Sequence, residues 1–169
     1  MNNFAKILRI EGFTGNRVKY YSVWVEGRQS NEFEDFIRRH IGLSEIEEQL
    51  NYLIRVLEKF SNEGARKHYF REERAFHALP PKARYLEFDL GREQIRLYCL
   101  HVSDGIVFLF NGGIKTKDKA QDCKNVKAFF KEAEKFTQII DDMLKDKQIV
   151  VNKNLTEILN YEGIELWLT

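Results

Sequence analysis

The sequence predicts one α+β domain with an antiparallel sheet, an N-terminal β-hairpin, a pair of helices and a C-terminal helix packed on the sheet. Three patterns support this prediction. Apolar and β-branched residues dominate short segments at the start and in the middle of the chain, two amphipathic helical patterns lie between them, and a third follows. A chain of 169 residues, of which 43% are hydrophobic, is long enough to bury a core.

The chain opens with a predicted hairpin. Residues 4–10 and 18–26 are rich in Ile, Val, Tyr and Trp, which favour strands. The residues between them, 12–16, combine two Gly with Thr and Asn and have the composition of a turn. Residues 1–30 are therefore assigned to an N-terminal hairpin.

Residues 31–63 carry two successive helix patterns. Asn31 with Glu34, and Ser44 with Glu47, each have the spacing of a capping box, which predicts two helix starts. Apolar residues recur at helical period behind each start. These residues are Phe33, Ile37 and Ile41 in the first helix, and Ile46, Leu50, Leu53, Ile54, Leu57 and Phe60 in the second.

A three-stranded meander and a long helix are predicted over residues 84–147. Residues 84–90 and 95–100 alternate in polarity, and residues 106–110 form an apolar strand after the turn at 103–105. The apolar stripe of the helix, 126–144, is expected to pack on the meander. Its expected contacts are Leu86, Phe88, Ile95 and Leu97.

Two segments have weaker patterns. Residues 65–81 interleave cations with aromatic residues irregularly, which predicts a loop or an edge strand. The tail, 148–169, offers a strand-like segment at 149–151, a short helix at 155–159 and an apolar end. All of these segments are assigned to the same single domain, 1–169.

Charge and cysteine content restrict the class of protein only loosely. The net charge is +1, although basic residues are in excess in 1–30 and in 64–119, which suits either a phosphate backbone or a solvated strand face. Two cysteines and the lack of a long apolar run predict a cytoplasmic protein without a membrane span. The spacing of His and Cys matches no ligand pattern, so neither a metal nor a cofactor is expected.

The candidate site lies on the second meander strand. Alternation places Arg96 and Tyr98 on one face, and Ile95, Leu97 and Cys99 on the other. A guanidinium can bind a phosphate with two hydrogen bonds, and a phenol can stack on a base or transfer a proton. The same pair is also ordinary on a half-solvated strand, so both interpretations stay open.

Further cations flank this strand. They are Arg84, Arg92, His101, Lys115, Lys117 and Lys119. Lysines at a strand exit can contact a nucleic-acid backbone, although solvated loop lysines have the same pattern. His101 has the chemistry of a base and equally that of a structural residue at a strand end. The cluster 71–74 fits the same face or an internal salt bridge.

Residues 79–136 resemble the RelE/ParE toxin superfamily, within it the HigB-like branch of bacterial toxin–antitoxin systems. The resemblance rests on a helical pair followed by these segments: Leu79-Pro80, 84–88, 91–98, 106–110, Lys115-Thr116-Lys117 and a Lys-rich amphipathic helix. Arg96 falls where this family commonly keeps a functional arginine, and Lys115 and Lys117 fall in its lysine-rich exit.

The resemblance implies a metal-independent mRNA endoribonuclease that acts on the ribosome and is held in check by an antitoxin protein. Arg96, Tyr98 and Lys115 would then be catalytic, and Arg84, Arg92, His101, Lys117 and Lys119 would bind RNA. An alternative is a non-catalytic module on the same scaffold that binds protein or nucleic acid. The residues alone do not decide between the two.

Overall fold

The computed structural model describes residues 4–82, 94–116 and 123–168. The predicted strand at 84–90 and four predicted site residues, Arg84, Arg92, Lys117 and Lys119, lie outside the described residues. The described elements are β1 (Phe4–Ile10), β2 (Lys19–Val25), α1 (Glu32–His40), α2 (Glu47–Glu63), β3 (Arg71–Glu72), β4 (His77–Leu79), β5 (Ile95–Ser103), β6 (Ile106–Ile114), α3 (Lys124–Lys145) and β7 (Glu165–Trp167).

The seven strands form one sheet in the order β3-β4-β5-β6-β2-β1-β7, which confirms the α+β class. Every neighbouring pair is antiparallel except β2 and β6, which run parallel. A parallel pair needs a long crossover, and the helices and strands between β2 and β6 provide it. The sheet is therefore mixed, where the sequence predicted an antiparallel one.

The N-terminal hairpin is confirmed. Strands β1 and β2 pair from Ala5 opposite Val25 to Ile10 opposite Tyr20. The loop between them contacts the end of α2, where the backbone N–H of Arg17 donates to the Ser61 carbonyl at 2.8 Å. The hairpin is thereby joined to the helical pair as well as to the sheet.

The helical pair is confirmed, and one of its two predicted caps is wrong. Asn31 accepts a hydrogen bond from the backbone N–H of Glu34 at 2.9 Å, so the first cap is present. Ser44 instead lies in a 3₁₀ turn, and α2 begins after Ile46 without a side-chain cap. The short turn occupies the position at which the sequence pattern predicted a capping box.

Helices cover both faces of the sheet. Ile95, Leu97 and Cys99 face the core formed with α1 and α2, whereas Tyr98 and Leu100 face the core formed with α3. The prediction that α3 packs on the sheet is confirmed, but the predicted contacts at Ile95 and Leu97 are on the wrong face. Strand alternation separates two faces, and when both are apolar it does not show which helix covers which. Leu86 and Phe88 lie outside the described residues.

Strand β6 continues past its predicted end. It runs on to Ile114, through the glycines that the sequence pattern assigned to a strand end. A side chain at Gly112 would collide with the Arg96 carbonyl, and one at Gly113 would collide with the Asn125 carbonyl. The two glycines therefore allow β6 to lie close to β5 and to the start of α3.

Short elements form the two sheet edges. The predicted loop or edge strand at 65–81 contains a 3₁₀ turn, Lys67–Tyr69, followed by β3 at the sheet edge and β4. The helix predicted at 155–159 is wrong, because this segment turns at Leu155, which has a φ of 56°. After this turn, Ile158 forms a single β-bridge with Val151, and the chain then ends in β7 at the opposite edge of the sheet.

No helix in the described part of the chain is long and apolar enough to cross a membrane.

Candidate functional site

Strand β5 places Arg96 and Tyr98 on one face, as predicted, but α3 and not solvent covers that face. Arg96 is 9% exposed and Tyr98 is 0% exposed. Phe76 and Phe130 pack edge-on against the Tyr98 ring, each with its ring centroid 5.7 Å from that of Tyr98. The expectation of a half-solvated face is therefore wrong, because the apolar stripe of α3 occupies it.

Arg96 and Lys115 act electrostatically, together with cations of the β3 edge, on one carboxyl group. Arg96 lies opposite Gly113, and the backbone N–H of Lys115 donates to the Gln94 carbonyl at 2.8 Å, so the end of β6 lies beside the start of β5. Glu73 lies in the turn between β3 and β4, and β4 pairs with β5 from Leu97 to Cys99, so the Glu73 backbone lies further along β5 than this end. We call Arg71, Glu73, Lys82, Arg96 and Lys115 the Glu73 centre, since all four cations act electrostatically on this carboxyl.

Desolvation dominates the electrostatics of the Glu73 centre. Burial raises the pKa of the Glu73 carboxyl, although the charges of the surrounding cations, Lys115 foremost, lower it. The ionised form is costly where water is excluded, and here four positive charges do not fully offset that cost. The resulting carboxylate is a stronger base than one in water.

The Tyr98 phenol lies at the inner side of the same centre. Burial raises its pKa, and the negative charge of Glu73 raises it further while Arg96 lowers it. Its hydroxyl is buried and has no hydrogen-bond partner among the described residues. Tyr98 therefore supports the centre through its packed ring and stays protonated at neutral pH.

His101 does not belong to the Glu73 centre. Its ring packs on Phe70, which belongs to the core formed with α1 and α2, whereas Tyr98 faces the other side of the sheet. Its Nε2 lies 2.7 Å from the Ala65 carbonyl oxygen and 3.1 Å from a carboxylate oxygen of Asp104, and both of these groups are acceptors. Its ring meets Phe70 edge-on at 5.1 Å, so the structural interpretation of this histidine is favoured.

Sequence reasoning missed the role of Glu73. It treated the cluster 71–74 as one set of charges with an open choice between ligand contacts and internal salt bridges. In the structure the cluster divides, because Arg74 pairs outward with Glu134 of α3 at 2.9 Å, whereas Glu73 is partly buried among cations. The available sequence signal was strand alternation, which places Arg71 and Glu73 on one side of the chain and Glu72 and Arg74 on the other.

A second polar network, also missed by sequence reasoning, joins α1 to β6 and α3. Arg28 contacts Glu32 at 2.8 Å and Glu132 at 2.6 Å. Arg39 pairs with Asp35 at 2.9 Å and stacks over the Phe129 ring, 4.4 Å from its centroid. Both arginines are paired with carboxylates, so this network is a structural tie between the layers.

Comparison of the chain with models of known protein families, with curated proteins and with solved structures matches none of them. Within residues 4–82, 94–116 and 123–168, no group of three or more His, Cys, Asp or Glu side chains is arranged to hold a metal ion. The class that fold and site define is an α+β domain with a desolvated carboxyl among four cations at the β3 end of its sheet.

Proposed function

We propose that this chain is a metal-independent mRNA endoribonuclease of the toxin–antitoxin type, which cuts RNA on the ribosome in the cytoplasm at the Glu73 centre. One observation supports the proposal. The charges of Arg96 and Lys115, which the family resemblance implicates in catalysis, act with those of Arg71 and Lys82 on the Glu73 carboxyl, whose pKa burial raises. Cleavage of RNA without a metal needs fixed positive charge together with a base, and this centre offers both.

The proposed reaction uses a ribose 2′-hydroxyl of the RNA as the nucleophile. Its oxygen attacks the adjacent phosphorus while Glu73 accepts its proton, and the bond from phosphorus to the 5′-oxygen breaks. Lys115 gives a proton to that leaving oxygen, so the products are a 2′,3′-cyclic phosphate and a 5′-hydroxyl end. Arg96, held on β5, stabilises the negative charge that builds on the pentavalent phosphate.

The proposed partner is an antitoxin protein that covers the Glu73 centre. Blocking the cations that bind phosphate is the direct way to silence such a site, and an acidic or amphipathic segment has the complementary charge. A partner that leaves Lys82 and Lys115 exposed in the complex would contradict this part of the proposal.

A second candidate function is a non-catalytic module that binds protein or nucleic acid. The burial of Arg96 and Tyr98 beneath α3 favours it, because side chains in this position serve packing in many sheets. The two candidates differ in one observable property, which is the cleavage of RNA on translating ribosomes.

The test is induction of the chain in a bacterium, with growth and the cleavage of translated mRNA as readouts. We expect the parent to arrest growth, and Glu73→Gln and Lys115→Ala to lower the cleavage rate by about a hundredfold or more. Glu162→Gln and Lys153→Ala remove similar charges at exposed positions in the C-terminal tail and should behave as the parent. A parent that neither arrests growth nor cleaves RNA would establish the non-catalytic function in place of the toxin.

A further inference from the structure

A basic groove lies along the segment that connects α2 to the β3 edge of the sheet. It consists of two adjoining depressions of about 620 Å³ and 450 Å³, and Tyr69 lines both of them. The first contains Lys67, Arg71 and Lys82, and the second contains Arg17 and Arg66. Among the described residues, two carboxylates, Glu63 and Glu72, line the same surface beside five cations, so the charge of this described lining is positive.

The cations of this groove differ from the arginines on and around α1. No ion pair of the described residues includes Arg17, Arg66, Lys67 or Lys82. By contrast, the arginines on and around α1 each bind a carboxylate at 2.6–2.9 Å. The positive charge of the groove is thus available for an anionic ligand.

Two aromatic rings lie between the cations of the groove. The rings of His68 and Tyr69 have centroids 4.1 Å apart, and the Phe60 ring of α2 lies 6.1 Å from that of Tyr69. The 3₁₀ turn that bears them is closed by the backbone N–H of Tyr69, which donates to the Arg66 carbonyl at 3.1 Å. His68 is exposed and Tyr69 is partly exposed, so the rings are held in place while remaining accessible.

The groove and the Glu73 centre share two cations. Arg71 and Lys82 line the groove and also act on the Glu73 carboxyl. A strand lying in the groove would therefore contact two of the cations of that centre. Rings flanked by cations suit the bases and phosphates of a single strand, whereas an acidic peptide would use the charges and leave the rings without a planar partner.

We infer that this groove binds single-stranded RNA next to the cleaved phosphate, with bases against His68 and Tyr69 and backbone phosphates along Arg66, Lys67 and Lys82. The inference rests on the proposed function for the direction of the strand toward the Glu73 centre. Binding itself is a separate property, which can be measured without any cleavage.

The experiment measures fluorescence anisotropy of a labelled ten-nucleotide RNA carrying 2′-O-methyl groups, which blocks the attacking hydroxyl, titrated with the full chain. We expect the double variant Arg66→Ala, Lys67→Ala to bind about tenfold more weakly. Its plot of log affinity against log salt should become shallower by about 1.4, the loss expected for two single-strand phosphate contacts. His68→Ala and Tyr69→Leu should each bind about tenfold more weakly with the salt slope unchanged, because stacking is lost and charge is kept.

Matched controls lie at the edge of the sheet opposite to β3. Trp167→Ala removes an exposed aromatic ring in β7, and Lys6→Ala removes an exposed charge in the neighbouring strand β1, so both should bind as the parent does. Parental affinity in all groove variants would overturn the inference. Equally tight binding of a poly-glutamate peptide, weakened by the same charge variants and unaffected by His68→Ala, would assign the groove to a protein partner instead.

The two proposals fail in distinguishable ways. If the parent does not cleave unmodified RNA on ribosomes, the proposed catalytic function is wrong. The anisotropy measurement would still test whether the groove binds RNA. Unchanged anisotropy in the groove variants, together with cleavage that depends on Glu73, would keep the function and remove the groove as the path of the strand.

Discussion

Tyr98 and Glu73 lie in the same desolvated region, and burial affects their two polar groups differently. The carboxyl gains basicity and remains among cations, whereas the phenol hydroxyl is left without a partner among the described residues. An unsatisfied buried hydroxyl destabilises the fold, while the aromatic ring that bears it contributes packing. One substitution can therefore separate the effect of the Tyr98 hydroxyl on stability from that of its ring.

Tyr98→Phe should raise the free energy of unfolding by about 1 kcal/mol, since it removes a buried hydroxyl that has no partner among the described residues and keeps the contacts of the ring with Phe76 and Phe130. Urea denaturation followed by circular dichroism measures this difference. Cleavage, if the parent shows it, should be retained. A variant that unfolds more easily than the parent would mean that the hydroxyl has a stabilising partner.

Glu32 gives a pH dependence of stability. It is buried, and burial raises the pKa of its carboxyl although the charge of Arg28 lowers it. A folded-state pKa above the unfolded one means that the native protein holds the proton more tightly, so stability falls as pH rises through the folded pKa. The parent should therefore lose stability relative to Glu32→Gln as pH rises from about 4.3, the ordinary value for Glu.

The measurement for Glu32 is the difference in melting temperature between the parent and Glu32→Gln over a series of buffers. As pH rises, the melting temperature of the parent should fall relative to that of Glu32→Gln. The difference between the two should become constant above the raised pKa of Glu32. A difference that moves in favour of the parent over this range would show that the ion pair with Arg28 outweighs burial.

At the scale of elements, α3 determines what the sheet can expose. Its buried residues, among them Phe130, Ala133 and Phe136, close the face that bears Arg96 and Tyr98. The centre is consequently confined to the end of the sheet, where Glu73 and Lys115 are only partly buried. The packing of α3 therefore positions the centre as well as stabilising the fold.

Phe130→Ala should cost about 3 to 5 kcal/mol, the usual effect of truncating a buried Phe. Its ring meets Phe76 at 5.0 Å and Tyr98 at 5.7 Å, so the change leaves a cavity between α3 and the sheet. Lys131→Ala, an exposed neighbour on the same helix, should stay within about 0.5 kcal/mol of the parent. A Phe130→Ala protein that melts within a degree or two of the parent would contradict this packing.

Sequence patterns predicted the elements with strong periodicity and missed those that depend on contacts distant in the chain. The β1–β2 hairpin, the helical pair and α3 have local apolar repeats, which is why they could be found. The parallel pairing of β2 with β6 and the continuation of β6 through Gly112 and Gly113 to Ile114 depend on partners far away in sequence. Two residues of the Glu73 centre, Arg96 and Lys115, could be selected from local sequence patterns. Glu73 could not, because its burial depends on the folded structure and not on its neighbours in sequence.

At the scale of the whole molecule, the sheet joins segments from both ends of the chain. Strand β1 lies between β2 and β7, so the C-terminal strand completes the edge that the N-terminal hairpin begins. Residues of the tail enter the same core as α3, and the backbone N–H of Ile158 donates to the Tyr21 hydroxyl at 2.9 Å. The tail is therefore part of the core and should unfold together with the rest of the domain.

Leu166→Ala tests this cooperativity. Leu166 is fully buried in β7, so its truncation should cost about 2 to 5 kcal/mol and lower the melting temperature by about 2 to 4 °C for each kcal/mol. If the chain is one cooperative unit, far-ultraviolet circular dichroism, which reports on the distant helices, should shift as much as the fluorescence of Trp24 and Trp167. Leu159→Ala, at a tail position that is 58% exposed, should leave both signals near those of the parent. A shift confined to fluorescence would show instead that the β7 edge unfolds separately from the helices.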